Sequence, residues 1–210
     1  MTADAAFWND LAEKYSKQPV ADPAAFERKI AITKGLMRPT DVVLDIGCGT
    51  GSLALRLAPA GAHIHGLDAS NEMIRIARGK ASAAGVSNVT FHVGAFDDSF
   101  TTLEAGSLRG ICAYSLLHLV EDLPAVLAQI HRLLAPGGFF VSSTVCLGES
   151  RLPYGLLLRL LRVLGKAPMV KVLRKQTIEA EVRRAGFVDL TWPDVGAKPN
   201  IGFLVAAKPG

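Results

Sequence analysis

Two carboxylates, three glycines and a histidine carry the chemistry that can be read in this 210-residue chain. Gly47, Gly49 and Gly51 follow the apolar run Val42-Val43-Leu44-Asp45-Ile46, and the helical pattern Ser52-Leu53-Ala54-Leu55-Arg56-Leu57 follows them. A continuous apolar run marks a strand buried on both faces, as parallel strands in α/β sheets are. Glycines at its end permit a tight turn and bring bare backbone against a ligand, where a Cβ would stand in the way. The next helix points its first amides at the same place. Together these features predict a nucleotide-type pocket at the carboxyl end of a first strand. Asp68 ends the next such segment about 20 residues beyond the first glycine, where a carboxylate can accept from both ribose hydroxyls. Capping of the helix that starts near Asn71 is its other use. His118 lies just past a later strand, where an imidazole of ordinary pKa can act as a general base. A helix-terminal histidine bonded to backbone is the structural alternative.

An ordered series of elements must position those groups. Residues 7 to 37 read as two helices, with Asp22 as the cap and Pro23 at the first position of the second. Strands are predicted over 42–46, 63–68, 89–94, 108–115 and 139–144. Helices start at Ser52, near Asn71 with a stop at Gly85, and at Leu123. Ala135-Pro136-Gly137-Gly138 reads as a sharp turn into the fifth strand. A short helix over 177–185 precedes two segments, 187–192 and 201–207, with no helix between them, which implies an antiparallel closing pair. A dehydrogenase-type fold would continue with parallel units instead. His63 and His65 share one strand face but have no third ligand nearby in sequence, so they read as packing residues.

Composition narrows the function. The length suits one domain with a core large enough to need no staples. A formal charge of +4 gives no reason to invoke nucleic acid. No apolar run is long enough to span a bilayer, and the acid in Met1-Thr2-Ala3-Asp4 does not resemble a secretory signal. Cys48, Cys112 and Cys146 read as buried thiols in a reducing cytoplasm, with no metal site implied.

With Asp45 two residues before Gly47, the segment Asp45-Ile46-Gly47-Cys48-Gly49-Thr50-Gly51 resembles motif I of the class I S-adenosylmethionine-dependent methyltransferases. The dinucleotide fingerprint would need glycine or alanine at Ser52. Asp68-Ala69-Ser70-Asn71-Glu72-Met73 is similar to the family's D-x-S-x-x-M, and Leu-x-Pro-Gly-Gly before the fifth strand is a further likeness. The resemblance covers residues 40 to 145 well, the closing hairpin in part and the intervening stretch hardly at all. It implies one Rossmann-like domain, an α/β doubly wound, mostly parallel seven-stranded sheet with an antiparallel C-terminal strand and helices on both faces. It implies S-adenosylmethionine as cofactor, contacted by Asp45, Gly47, Cys48, Gly49, Gly51, Asp68, Ala69 and Met73. Tyr114 and Ser115 fall where the family's fourth strand approaches the methionine part. Gly94-Ala95-Phe96-Asp97 departs from the family's Gly-Asp-Ala, leaving Asp97 to meet the adenine and Phe96 to flank it. Trp8, Ala12 and Tyr15 look like the amino-terminal cap of small-molecule methyltransferases, which would make residues 1–37 a helical cap and set Tyr15 beside His118 as a group to remove a proton. A helix packed on the sheet is the plainer use of the same aromatics.

Residues 147–176 form an insert on the substrate side, leucine-rich over 152–164 and basic through Lys175. A basic amphipathic helix can meet a membrane surface, cover a greasy substrate or bury its leucines on the sheet, so peripheral membrane contact through 151–175 stays open here. The expected activity is methyl transfer to a small, apolar or lipid-like molecule. The competing readings are a nicotinamide-dependent oxidoreductase and a membrane-associated protein that binds the cofactor without transferring its methyl group.

Overall fold

A computed structural model describes residues 3–150, 154 and 168–210. Seven strands form one sheet in the order β3-β2-β1-β4-β5-β7-β6. They are β1 (Val42–Ile46), β2 (His63–Asp68), β3 (Val89–Val93), β4 (Leu108–Tyr114), β5 (Leu134–Val145), β6 (Val188–Thr191) and β7 (Ile201–Ala207). Pairing is parallel from β3 through β5, whereas β7 runs antiparallel to both β5 and β6. The helix-free connection between β6 and β7 thus closes the sheet as the tail of the chain predicts.

Alternation along the strands divides the core between the two sheet faces. Leu44 and Ile46 of β1 pack with Leu127 and Ile130 of α5 (Leu123–Leu133) and Ile178 of α6 (Lys175–Arg184). Val43 packs on the other face with Leu57 of α3 (Ser52–Leu57) and Ile74 of α4 (Asn71–Ala83). Two helices precede the sheet, α1 (Ala3–Lys17) and α2 (Pro23–Gly35). Asp22 caps α2 by accepting from the Ala25 amide at 3.0 Å.

Two local expectations change. The cap of α4 is Ser70, whose hydroxyl accepts from the Met73 amide, and not Asp68. The Pro136-Gly137-Gly138 turn lies inside β5, where the register against β4 shifts and Gly137 adopts φ +69°. The leucine-rich stretch 152–164 falls outside the described residues apart from Tyr154.

Candidate active site

All three loop glycines adopt left-handed backbone, with φ of +66°, +53° and +76° at Gly47, Gly49 and Gly51. They do so for different reasons. A Cβ on Gly51 would lie 2.8 Å from Phe91 Cζ and 3.0 Å from Ala77, so this glycine lets α4 and β3 close over the loop. Among the described residues, a Cβ on Gly49 would meet only Tyr15, at 3.9 Å. Gly49 therefore turns bare backbone toward open space.

That space is a cavity of about 790 Å³ at the carboxyl ends of β1, β2 and β4. From the loop it takes Gly47 and Gly49; from the end of β2 and its helix, Asp68, Ala69 and Met73. Phe96 and Asp97 enter after β3, Tyr114 at the end of β4, and Ser115 and His118 just beyond it. Tyr15 reaches it from α1, with Trp8 two helical turns earlier.

Asp45, Cys48 and Gly51 do not line it. Asp45 is buried, with 1% of its surface exposed, and accepts the Ala54 amide of α3. It thus serves the helix start in place of Gly51, which has no side chain to cap with. Its Oδ2 has no partner among the described residues. Burial, and then the charge of Asp68, pushes its pKa up to about 8, so the acid is mostly protonated at neutral pH. The Cys48 sulfur shares the space over Gly66 with the Phe91 ring, and burial holds the thiol well above its ordinary pKa.

Asp68 faces the cavity with its carboxylate already engaged. It accepts from the Gly49 amide through Oδ2 and from the Ser70 amide through Oδ1, each at 2.9 Å. Burial raises its pKa, and the two amides pull the other way. Asp97 likewise accepts from the Ser99 amide at 2.9 Å, which forms the turn after Phe96. Gln129 of α5 secures that turn by donating to the Asp97 carbonyl at 3.1 Å.

His118 sits in a 3-10 turn, Leu117–Leu119, and is only 9% exposed. Burial pushes its pKa down to about 4, well below the near-neutral value on which a base role rests. Nδ1 has no partner among the described residues, so nothing orients the ring as a paired base would be oriented. The result is a neutral imidazole at ordinary pH. Burial, and then the Asp68 carboxylate, raises the Tyr15 pKa, which keeps that phenol protonated. Tyr114 is raised too, chiefly by burial.

The sequence left Gln129, Pro168 and Val170 unnamed as contributors. Gln129 breaks the apolar face of α5 between Val126 and Ile130, and that interruption was a readable signal. Pro168 and Val170 line the cavity from beyond the insert, and no periodicity marks them. Their segment is tied down where the Lys171 amide donates to the His118 carbonyl at 2.7 Å and its ammonium to the Glu121 carbonyl. His65 Nδ1 lies 3.0 Å from His92 Nε2 on the neighbouring strand, away from the cavity. No group of three or more His, Cys, Asp or Glu among the described residues is arranged to hold a metal ion.

A family model described as a methyltransferase domain matches residues 38–179. The ubiquinone biosynthesis O-methyltransferase of Thiobacillus denitrificans is 32% identical over 135 residues, which cover 64% of this chain and 54% of that protein. The nocamycin O-methyltransferase of Saccharothrix syringae is 35% identical over 105 residues, 48% of this chain and 36% of the relative. The matched part thus spans about half or less of these curated relatives. Among solved structures, phosphoethanolamine N-methyltransferase 2 of Haemonchus contortus in complex with S-adenosyl-L-methionine superposes with a TM-score of 0.76 at 18% identity, covering 97% of this chain and 60% of that one.

Proposed function

The chain belongs to the class I S-adenosylmethionine-dependent methyltransferases, and from that premise we propose that it moves a methyl group from S-adenosylmethionine to a hydroxyl on a small acceptor with an apolar body. The observation that carries this reading is one cavity running from Gly47 and Gly49 past Asp68 to His118. Bare backbone at Gly49, with only Tyr15 near where a side chain would start, fits a ligand pressed against the loop. In this reading Gly47 and Gly49 meet the amino-acid end of the cofactor and Asp68 its ribose. Ala69, Met73 and Phe96 flank the adenine, with Asp97 at its edge, and Tyr114 and Ser115 flank the methionine part.

When bound, S-adenosylmethionine supplies a methyl group made electrophilic by its sulfonium charge. The chain itself contributes alignment and a dry site. Orientation of this kind is worth roughly 7 to 11 kcal/mol of barrier. Leu116, Leu119, Val120 and Val170 form an apolar wall that suits an apolar acceptor body. His118, neutral and held through its carbonyl, is the group we assign to accept the hydrogen bond of the acceptor hydroxyl and, as the O–CH3 bond forms and the S–CH3 bond breaks, the acidic proton released from that oxygen. Both curated relatives are O-methyltransferases, which favours oxygen as the accepting atom.

Calorimetry with S-adenosylmethionine and with NADH tests the cofactor. Binding of the first and not the second is the expected result, and tight NADH binding alone would reverse the choice. Transfer of a labelled methyl group to hydroxylated aromatics bearing apolar chains tests the acceptor.

We read residues 1–210 as one domain with a helical cap at 1–37 and a substrate-side insert at 147–176. Peripheral contact with anionic membranes through 151–175 is part of the proposal, supported by that stretch's leucines and cations. Liposome flotation with and without it would abolish the idea if the distribution did not change. The unpaired, buried Cys48, Cys112 and Cys146 support a cytoplasmic location, which cell fractionation checks. No helix among the described residues is long and apolar enough to cross a membrane.

A further inference from the structure

The corner of the cavity where β4 ends is held from behind by α2. Lys29 of that helix is 9% exposed, and its ammonium donates to the Ser143 hydroxyl at 2.9 Å. Among the described residues it forms no ion pair within 4 Å, and the charge of Asp22 acts on it only from further away. One turn on, the Thr33 hydroxyl lies 2.9 Å from the Lys29 carbonyl and 2.9 Å from the Tyr114 hydroxyl. A threonine has one hydroxyl proton. Since a carbonyl can only accept, Thr33 spends its proton there, and Tyr114 must be the donor to Thr33. Ser143 is also bonded through its backbone, its carbonyl accepting the Ser115 amide at 2.6 Å. Ser115 has φ +56°, a left-handed conformation that a non-glycine residue keeps only when its surroundings hold it there.

Two polar side chains of α2 thus grip two consecutive cavity residues, Tyr114 directly and Ser115 by way of Ser143. Neither Lys29 nor Thr33 lines the cavity themselves, whereas Tyr114 and Ser115 do. Packing alone does not call for this arrangement. Phe26 and Ile30 already attach α2 to the core, and a buried ammonium without a carboxylate costs stability that an apolar side chain of similar length would not.

We propose that Lys29 and Thr33 are positioning residues that set the Tyr114–Ser115 corner against the methionine end of the cofactor. The inference rests on the reading of the cavity given above. S-adenosylhomocysteine is the probe, with its affinity measured by calorimetry and the thermal midpoint of the ligand-free protein measured alongside. Thr33→Val keeps the shape and deletes both hydroxyl bonds, so affinity should fall by about fivefold to tenfold, the worth of roughly one net hydrogen bond. Thr33→Ser should return it to within about twofold of wild type. Lys29→Met should weaken binding on a similar scale while the thermal midpoint holds or rises, opposite to what a purely structural lysine would do. Should Thr33→Val fail to fold, the Lys29→Met comparison decides. Wild-type affinity in both variants, or a loss that tracks the thermal midpoint and is not rescued by serine, would overturn the positioning alone. Wild-type protein that does not bind the probe would overturn the reading of the cavity, and the positioning with it.

Discussion

The amide of Gly49 donates to the carboxylate of Asp68 at 2.9 Å, so the acid at the end of β2 is a strut for the glycine loop as well as a wall of the cavity. The same carboxylate takes the Ser70 amide, which fixes its rotamer before any ligand arrives. Replacing Asp68 by alanine should therefore weaken S-adenosylmethionine by about 1 to 3 kcal/mol, the scale of a lost charge-assisted hydrogen bond. Asp68→Asn, which keeps one accepting oxygen, should lose less. Unaltered affinity of the alanine variant in calorimetry would mean that the carboxylate does not meet the sugar.

Two glycines of one motif should fail differently. Alanine at Gly51 would combine left-handed strain of about 1 to 2 kcal/mol with overpacking of about 1 to 3 kcal/mol against Phe91 and Ala77. Alanine at Gly49 carries the strain but finds open space. Thermal unfolding should show the larger loss for Gly51→Ala, and cofactor titration the larger loss relative to stability for Gly49→Ala. Equal behaviour in both assays would contradict the division of labour.

Asp45 makes stability fall as pH rises from the acid range through neutrality. Its folded pKa of about 8 lies above the unfolded value of 3.8, so folding favours the protonated acid. The contribution is complete below pH 3.8 and is lost as pH rises toward 8. The midpoint should fall across that window by several degrees, at about 2 to 4 °C per kcal/mol for a chain of this size. Asp45→Asn, permanently neutral, should flatten the dependence. An equally steep profile in the variant would assign the effect elsewhere.

Acid should act through two imidazoles. His118 and His65 both have folded pKa values near 4, below the ordinary 6.5, the first by burial and the second by burial and then by His63 and His92. Their contribution is present above pH 6.5 and lost as pH falls from there through 4. His65→Gln should blunt the acid side of the stability profile without changing cofactor affinity. A profile unchanged by that substitution would clear His65 of the effect.

Turnover should report His118 separately. With a neutral ring of depressed pKa, the acid limb of the rate profile should lie nearer pH 4 than pH 6.5. His118→Ala should reduce kcat/KM by roughly tenfold, the scale of one aligning hydrogen bond. A limb at 6.5 that disappears in the variant would restore the stronger role of general base.

Much of this architecture is local, and local patterns are what a sequence displays. The Val42–Ile46 run, the three glycines and Asp68 announced a pocket at a strand end, because backbone sterics and strand alternation act over a few residues. The helix-free tail likewise announced β6 and β7. Gln129 was visible only as a blemish on an apolar face, and Pro168 and Val170 not at all, because a loop carries no period.

The sequence by itself determined the order of elements, the tight glycine turn and the family likeness, each of which follows from neighbours along the chain. Only the tertiary structure decided that Asp45 accepts the Ala54 amide of α3 beneath the cavity, that Gly51 yields to Phe91, and that His118 is largely withdrawn from water at the cavity wall. Those outcomes depend on how much water each group loses and on which distant side chain fills the space beside it. Desolvation and close packing arise between segments far apart in the chain, so no spacing rule records them.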